Sequence, residues 1–309
     1  RRSRSLALVE ARRSLEGDAM FVMFPGQGSQ SVGMARPLLD LFPTTRMTFE
    51  EAGDACRANL LRLCLDAPAD ELELTANQQP CILTMSIALW RVLLAETELR
   101  APTCMAGHSL GEYSALVASG HMDFADAARL VRARGQAMQD AVPLGLGAMA
   151  AVIGSTAAQV TAACKGISRP DCVVELADDN GPTQHIISGH KKAVDAACAF
   201  FAQQTIKTLP LSVSAPFHSS LMAPAKAVMD PLLRATCLEP RARNVSIIAN
   251  VTGKLAAPYT VDLLIDQIDQ RALAGHALHC CATGDCKDTR GRPRQGTDRA
   301  CPTRNAPWT

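Results

Sequence analysis

No run in this chain is long and apolar enough to cross a membrane. The most apolar stretch, Cys81 to Leu94, is broken by Thr84, Ser86 and Arg91 and falls short of the roughly 20 residues that a spanning helix needs. An excess of either charge is also lacking: 31 Lys and Arg stand against 30 Asp and Glu. The small positive surplus sits at the ends, with five Arg against three acids in residues 1–19 and seven basic residues against three Asp in 271–309. Residues 20–270 carry 19 basic and 24 acidic side chains, a formal −5, which excludes the basic footprint of a nucleic-acid binder. Close cysteine spacings are missing as well. Cys56, Cys64, Cys81, Cys104, Cys164, Cys172, Cys198 and Cys237 lie singly among apolar residues, in neither a zinc pattern nor a small disulfide scaffold, and read as reduced, packed thiols of a cytoplasmic compartment. Cys280, Cys281, Cys286 and Cys301 cluster late in the chain near His276 and His279, but an adjacent Cys pair is poor ligand spacing, and no metal is expected. There are no internal repeats and no low-complexity linkers.

What is present is enough apolar material, 48% of 309 residues, for one large core and a small inserted domain. Residues 1–19 are rich in Arg and Ser like an organelle transit peptide, yet contain Glu10, Glu16 and Asp18, and read as an extension ahead of a natural start at Met20. Met20 to Phe24 and Thr103 to Gly107 read as buried strands, each running into a glycine-containing loop. Helical patterns cover Thr45 to Cys64, Gln79 to Glu96, Leu110 to Ser119 and, behind an Asp123 N-cap, Phe124 to Ala141. From Gly147 the rhythm becomes strand, helix, strand, strand, helix, strand, ending near Leu211, which suggests a ferredoxin-like α+β insertion over 144–214. The large domain, 20–143 and 215–270, resumes with helix Ser219 to Ala235, strand Ser246 to Ala249 and helix Val261 to Ile268. The fold class expected is α/β: a large α/β-hydrolase-like domain with a parallel sheet, plus the small insertion.

Gly107-His108-Ser109-Leu110-Gly111 fits the nucleophile elbow, where small residues on either side of Ser permit a sharp strand-to-helix turn. That turn lifts the hydroxyl to a helix N-terminus, where the Leu110 amide faces a developing oxyanion. A serine hydroxyl needs a base. His218, in Ala215-Pro216-Phe217-His218-Ser219, sits after a strand and before a helix like Ser109, although alone it would more often be a surface or capping His. His108 should point away across the strand. In Phe24-Pro25-Gly26-Gln27-Gly28-Ser29-Gln30, two Gly bracket Gln27 and suit a backbone amide offered to a substrate oxygen, or simply a tight turn.

Together, Pro25 to Gln30, Gly107-His108-Ser109-Leu110-Gly111-Glu112, Arg134 within a helix and Phe217-His218 resemble the malonyl-CoA:acyl carrier protein transacylases, from about Met20 to Ile268. The resemblance implies that Ser109 holds the acyl group as an ester. His218 would be its base and later activate the pantetheine thiol of acyl carrier protein in a ping-pong cycle. It further implies an oxyanion hole from the Gln27 and Leu110 amides, and a bidentate grip by Arg134 on the free malonyl carboxylate, though by itself Arg134 would read as a solvated helix charge. Gln267 would orient His218 through its backbone carbonyl in place of a triad's carboxylate. Phe217 resembles the malonyl-selective form of its motif, whose bulk disfavours an α-methyl branch. The implied protein is a cytoplasmic monomer of fatty-acid synthesis. Its partners are malonyl-CoA and acyl carrier protein, with no cofactor, no metal, no nucleic acid and no membrane. A serine esterase or thioesterase, and a remnant impaired by an altered C-terminus, are the alternatives; Arg134 and the lack of an evident acidic triad partner argue against the hydrolase.

The likeness fails after Ile268, where the family continues with a Glu-Val-Gly-Pro-Gly-Lys strand and loop. Here stands an Arg-, Cys- and His-rich tail, 271–309. Arg290 to Cys301 can be encoded so that reading one nucleotide later gives Glu-Val-Gly-Pro-Gly-Lys-Ala-Leu-Thr-Gly-Leu. The tail is therefore expected to be out of frame, with the shift between Ile268 and Arg271. It would replace the last core strand and helix with a polar segment.

Overall fold

Strand β1 (Phe21–Phe24) opens the fold and is followed by helices α1 (Arg36–Leu39), α2 (Pro43–Cys56), α3 (Leu60–Leu65), α4 (Ala69–Glu73) and α5 (Thr75–Glu96). Next come β2 (Cys104–Gly107), α6 (Gly111–Ala118) and α7 (Phe124–Asp140). A second group follows: β3 (Gly147–Ile153), α8 (Ala157–Ile167), β4 (Val174–Gly181), β5 (Gln184–His190), α9 (Lys191–Gln203) and β6 (Lys207–Pro210). A 3-10 turn at Ser220–Met222 then leads into α10 (Ala223–Arg234), β7 (Ser246–Ala249), β8 (Lys254–Ala256) and α11 (Val261–Gln267). The computed structural model describes residues 20–213, 215–238, 245–273 and 275, so the expected N-terminal extension and nearly all of the expected out-of-frame tail lie outside the described residues.

The architecture is mixed α/β with a parallel sheet and flanking helices. In the first sheet the order is β1-β2-β7-β8, with β1, β2 and β7 parallel and β8 antiparallel to β7. Its core includes Leu83, Met105, Leu110, Leu116, Val131 and Met138, all fully enclosed. Burying each such side chain contributes about 1.5–3 kcal/mol. The second sheet is wholly antiparallel, ordered β4-β5-β3-β6, with a core of its own that includes Val152, Val160, Ile187 and Phe201. Met149, Ala151, Ala177 and Ile186 instead join the core of the first sheet, which joins the two units along a packed face. A bridge from Ala272 to Asp178, and a hydrogen bond from the Leu273 amide to the Asn250 carbonyl at 2.7 Å, tie residues just past Ile268 to both sheets.

Several expectations need correction. The single helix expected over Thr45 to Cys64 is two, because Arg57 turns left-handed at φ 50° and ends α2. Helix α5 begins at Thr75, four residues ahead of the expected Gln79, so Pro80 lies inside it rather than in its opening residues. Proline has no N–H for the Ala76 carbonyl one turn back; the Arg132 guanidinium donates to that carbonyl instead, at 2.8 Å. Asp123 caps α7 as its position predicts, its carboxylate accepting from the Ala125 amide at 2.9 Å. The eight described cysteines are unpaired thiols, and Cys237 is exposed rather than packed.

Candidate active site

The parallel strands β1, β2 and β7 all end at one edge of the sheet, and the loops that leave them carry Gln27, Ser109 and Asn250. Ligands in open α/β sheets bind at this carboxyl edge. Gly26 lets the first two loops meet, and Gly107 lets the second fold tightly on itself. A Cβ on Gly26 would lie 2.5 Å from the His108 carbonyl oxygen, and one on Gly107 would lie 1.9 Å from the Gly111 carbonyl carbon. Ser109 itself adopts φ 49° and His218 φ 55°, the left-handed region that non-glycine residues seldom occupy. Such strain persists where surrounding bonds over-determine it. For Ser109 the bond is visible: its amide donates to Asn250 Oδ1 at 2.7 Å, while Asn250 Nδ2 donates to the Gly107 carbonyl at 2.7 Å.

Ser109 and His218 meet directly. His218 Nε2 lies 2.8 Å from Ser109 Oγ, and its Nδ1 lies 2.8 Å from the Gln267 carbonyl oxygen. A carbonyl can only accept, so Nδ1 carries the proton and Nε2 is left to accept from the serine hydroxyl. Burial holds the imidazole below its ordinary value, reinforced by the charges of Arg134 and His108 and opposed by Asp178 and the Gln267 bond. The ring is therefore neutral near pH 7, the form a general base needs.

Arg134 reaches the same hydroxyl from beneath. It is fully buried, donating from Nη1 to Gln79 Oε1 at 2.7 Å and from Nη2 to Ser109 Oγ at 3.1 Å and to Gln267 Oε1 at 2.9 Å. Among the described residues its Nε has no hydrogen-bond partner and no carboxylate forms a salt bridge with it. Burial pulls its pKa down, opposed by the nearby Tyr113 and Glu112, and an anion bound directly to the guanidinium would offset more of the cost of burial.

A cavity of about 190 Å³ opens onto this pair, walled by Gln27, His108, Ser109, Phe217 and His218 from the large unit and by Met149, Asp178, Asn180 and Ile186 from the inserted one. A larger apolar cavity of about 420 Å³ between β1 and α5 carries no titratable side chain on its wall and offers no comparable chemistry. Each residue expected at the site is near Ser109, but at two depths: Gln27 and Phe217 are at the wall, whereas Leu110, Arg134 and Gln267 are wholly buried behind it. The Gln27 side chain is held away by donation to Thr75 Oγ1 at 2.7 Å and to Gln78 Oε1. Among the described residues, neither the Gln27 nor the Leu110 amide makes a hydrogen bond. His108 does not point away as expected: it lines the same cavity, with Nε2 3.3 Å from Asn180 Oδ1.

Three participants have no role in the reading of the sequence: Gln79, Asn250 and Glu112, the last quoted there only as part of its motif. Glu112 offered a signal, since it is the one acid in the otherwise uncharged helix Gly111–Ala118. It is fully buried, accepting from the Tyr259 hydroxyl at 2.7 Å, from the Asn250 amide at 3.1 Å and from Gln267 Nε2. Burial pushes its carboxyl up to about 7 against the pull of those donors and of Arg134.

The buried serine–histidine pair on a strand-to-helix elbow, with a guanidinium at the hydroxyl, defines an acyl-transfer type of site. The chain belongs to the acyl transferase domain family, whose model matches residues 20–274, six residues past the point where the likeness was expected to stop. It is similar to the malonyl CoA-acyl carrier protein transacylase of Escherichia coli K12, 48% identical over 204 residues that cover 66% of this chain and 65% of that protein. The chain thus spans just under two thirds of the length of that relative. Among solved structures it resembles FabD from Acinetobacter baumannii at 39% identity and a TM-score of 0.80, covering 84% of this chain and 82% of that one. It also resembles a chain in the complex of a type II PKS acyl-carrier protein with its malonyl-transacylase, at 36% identity and a TM-score of 0.82, covering 87% of each.

Proposed function

We propose that this chain moves a malonyl group from coenzyme A to the pantetheine thiol of acyl carrier protein through an ester on Ser109. The observation that carries the reading is Arg134, a fully buried guanidinium 3.1 Å from the hydroxyl and without a carboxylate among its described contacts. A malonyl thioester presents such a carboxylate one methylene from the reacting carbonyl, and the planar guanidinium fork matches it. To take it, Arg134 exchanges its contacts with Ser109 Oγ and Gln267 Oε1 for carboxylate oxygens.

In the first half-reaction His218 Nε2 accepts the proton of Ser109 Oγ as the oxygen attacks the thioester carbonyl. The Gln27 and Leu110 amides receive the oxyanion. The carbon–sulfur bond then breaks, and His218 passes its proton to the coenzyme A sulfur. In the second, His218 takes the proton of the pantetheine thiol and the thiolate attacks the ester. The bond to Oγ breaks and the serine is reprotonated. The Gln267 carbonyl fixes the tautomer throughout, the task a carboxylate has in a triad. Phe217, on the cavity wall, disfavours an α-methyl branch by about 1 to 3 kcal/mol, a preference rather than exclusion.

On this reading the chain acts as a cytoplasmic monomer, without cofactor, metal, nucleic acid or membrane. The large sheet is read as α/β-hydrolase-like because its serine stands on a strand-to-helix elbow. The insertion is read as ferredoxin-like because its strand-helix-strand-strand-helix-strand connectivity gives the antiparallel order β4-β5-β3-β6.

Intact-protein mass after brief exposure to malonyl-CoA tests the proposal. A gain of about 86 Da, the malonyl increment of a covalent acyl-enzyme, is expected on the chain and not on Ser109→Ala. Well-folded protein that gains nothing would mark it as an impaired remnant.

A further inference from the structure

The reaction outlined above gives Glu112 no part, yet both halves of the site hang from it. Through Oε1 it accepts from the Asn250 amide, and Asn250 Oδ1 in turn holds the Ser109 amide at 2.7 Å. Through Oε2 it accepts from Gln267 Nε2, which also donates to the Ser109 carbonyl at 2.9 Å. Gln267 is a junction: its backbone carbonyl receives His218 Nδ1–H at 2.8 Å and its side-chain oxygen receives Arg134 Nη2 at 2.9 Å. A carboxylate on one side and a guanidinium on the other leave the Gln267 amide a single orientation, oxygen to arginine and nitrogen to glutamate.

From this geometry we infer that Glu112, as a carboxylate, is a positioning residue that fixes Ser109 through Asn250 and His218 through Gln267. Its three partners arrive as donors, from the Tyr259 hydroxyl, the Asn250 amide and the Gln267 amide group. A proton added to Glu112 would turn one acceptor site into a donor and remove the negative charge that these three donors share, weakening its hold on them. The titratable and charged groups that act on it are Tyr259, Tyr113 and Arg134, from the segment after β8, from its own helix and from α7. Because burial brings its carboxyl up to about 7, the carboxylate form is gained across the neutral range as pH rises. His218 becomes neutral at lower pH, below the ordinary imidazole value of 6.5. Ser109 reactivity should then rise in two limbs, the upper one belonging to Glu112.

The inference rests on Ser109 as an activated nucleophile and not on the identity of the acyl group, so the probe is a fluorophosphonate, which labels activated serines without a malonyl group. The labelling rate is followed from pH 5 to 9 for the unsubstituted chain, Glu112→Gln and Tyr259→Phe, with malonyl-CoA acylation measured alongside. Glu112→Gln is expected to label about 10- to 100-fold more slowly at pH 8 and to lose the upper limb, as misplacement of reacting groups would cause. Tyr259→Phe removes one donor that holds the carboxyl down, so its upper limb should move to higher pH with the plateau largely kept. A folded Glu112→Gln protein that labels within twofold of the unsubstituted chain and keeps the limb overturns the inference. Should Glu112→Gln fail to fold, Tyr259→Phe decides, and an unmoved limb overturns it. Labelling of the unsubstituted chain without malonyl uptake would retire the malonyl reading alone, whereas no labelling at all would overturn both.

Discussion

Arg132 and Arg134 lie two positions apart in the same helix, and their fates differ because about 200° of helix rotation separates them. Arg132 serves structure, closing the carbonyl of Ala76 and bonding to Asn77 Oδ1. Arg134 points at the serine from full burial. If it grips the malonyl carboxylate, Arg134→Ala should lose about 2–5 kcal/mol of transition-state binding with malonyl-CoA, the range for truncating a buried charge pair. Acetyl-CoA, which has no carboxylate, should suffer far less. Arg134→Lys should fall between, since an ammonium keeps charge but not the fork. Acylation rates with the two thioesters measure this directly, and equal losses on both would show that Arg134 merely supports the fold.

Short elements do the positioning. Strands β1, β2 and β7 have only four residues each, and each delivers its functional residue within three positions of its end. Such brevity leaves no slack at the elbow. Gly107→Ala would place a methyl 1.9 Å from the Gly111 backbone, contact that neither strand nor helix can relieve without shifting. It should cost at least about 3 kcal/mol of stability. Gly166→Ala in α8 meets nothing within 4 Å and should instead stabilise by up to about 1 kcal/mol. Thermal unfolding of the two variants side by side would expose the contrast, and similar melting temperatures would contradict the tight elbow. At this scale the sequence was legible wherever one rule dominated: apolar runs gave the strands, and Asp123 marked a helix start. It misled where tertiary contacts compensated a local fault, as where Arg132 permits Pro80 inside α5.

For the molecule as a whole, the cleft exists only because two units close on each other. Ser109 and His218 come from one, while Met149, Asp178, Asn180 and Ile186 of the other complete the wall. Ala272 and Leu273, the first residues of the expected tail after Arg271, bond to both units. If that tail is out of frame, a variant carrying Glu-Val-Gly-Pro-Gly-Lys-Ala-Leu-Thr-Gly-Leu and its neighbours from the shifted reading regains apolar core. Its melting temperature should rise by about 2–4 °C per kcal/mol recovered. A calorimetric comparison that finds the two forms equally stable, or a genomic sequence without a shifted frame, would remove that expectation.

Residue order alone determined the elbow, the candidate base and the alternation of strand and helix, because each is written in neighbours whose sterics or periodicity act locally. It could not reveal that Glu112, Asn250 and Gln267 form one network. Their partners lie 138 to 155 residues apart along the chain. Such bonds have no local signature. Only the packed fold removed the water that would otherwise satisfy those polar groups, and so compelled Glu112 to meet the two residues that hold the serine and the histidine.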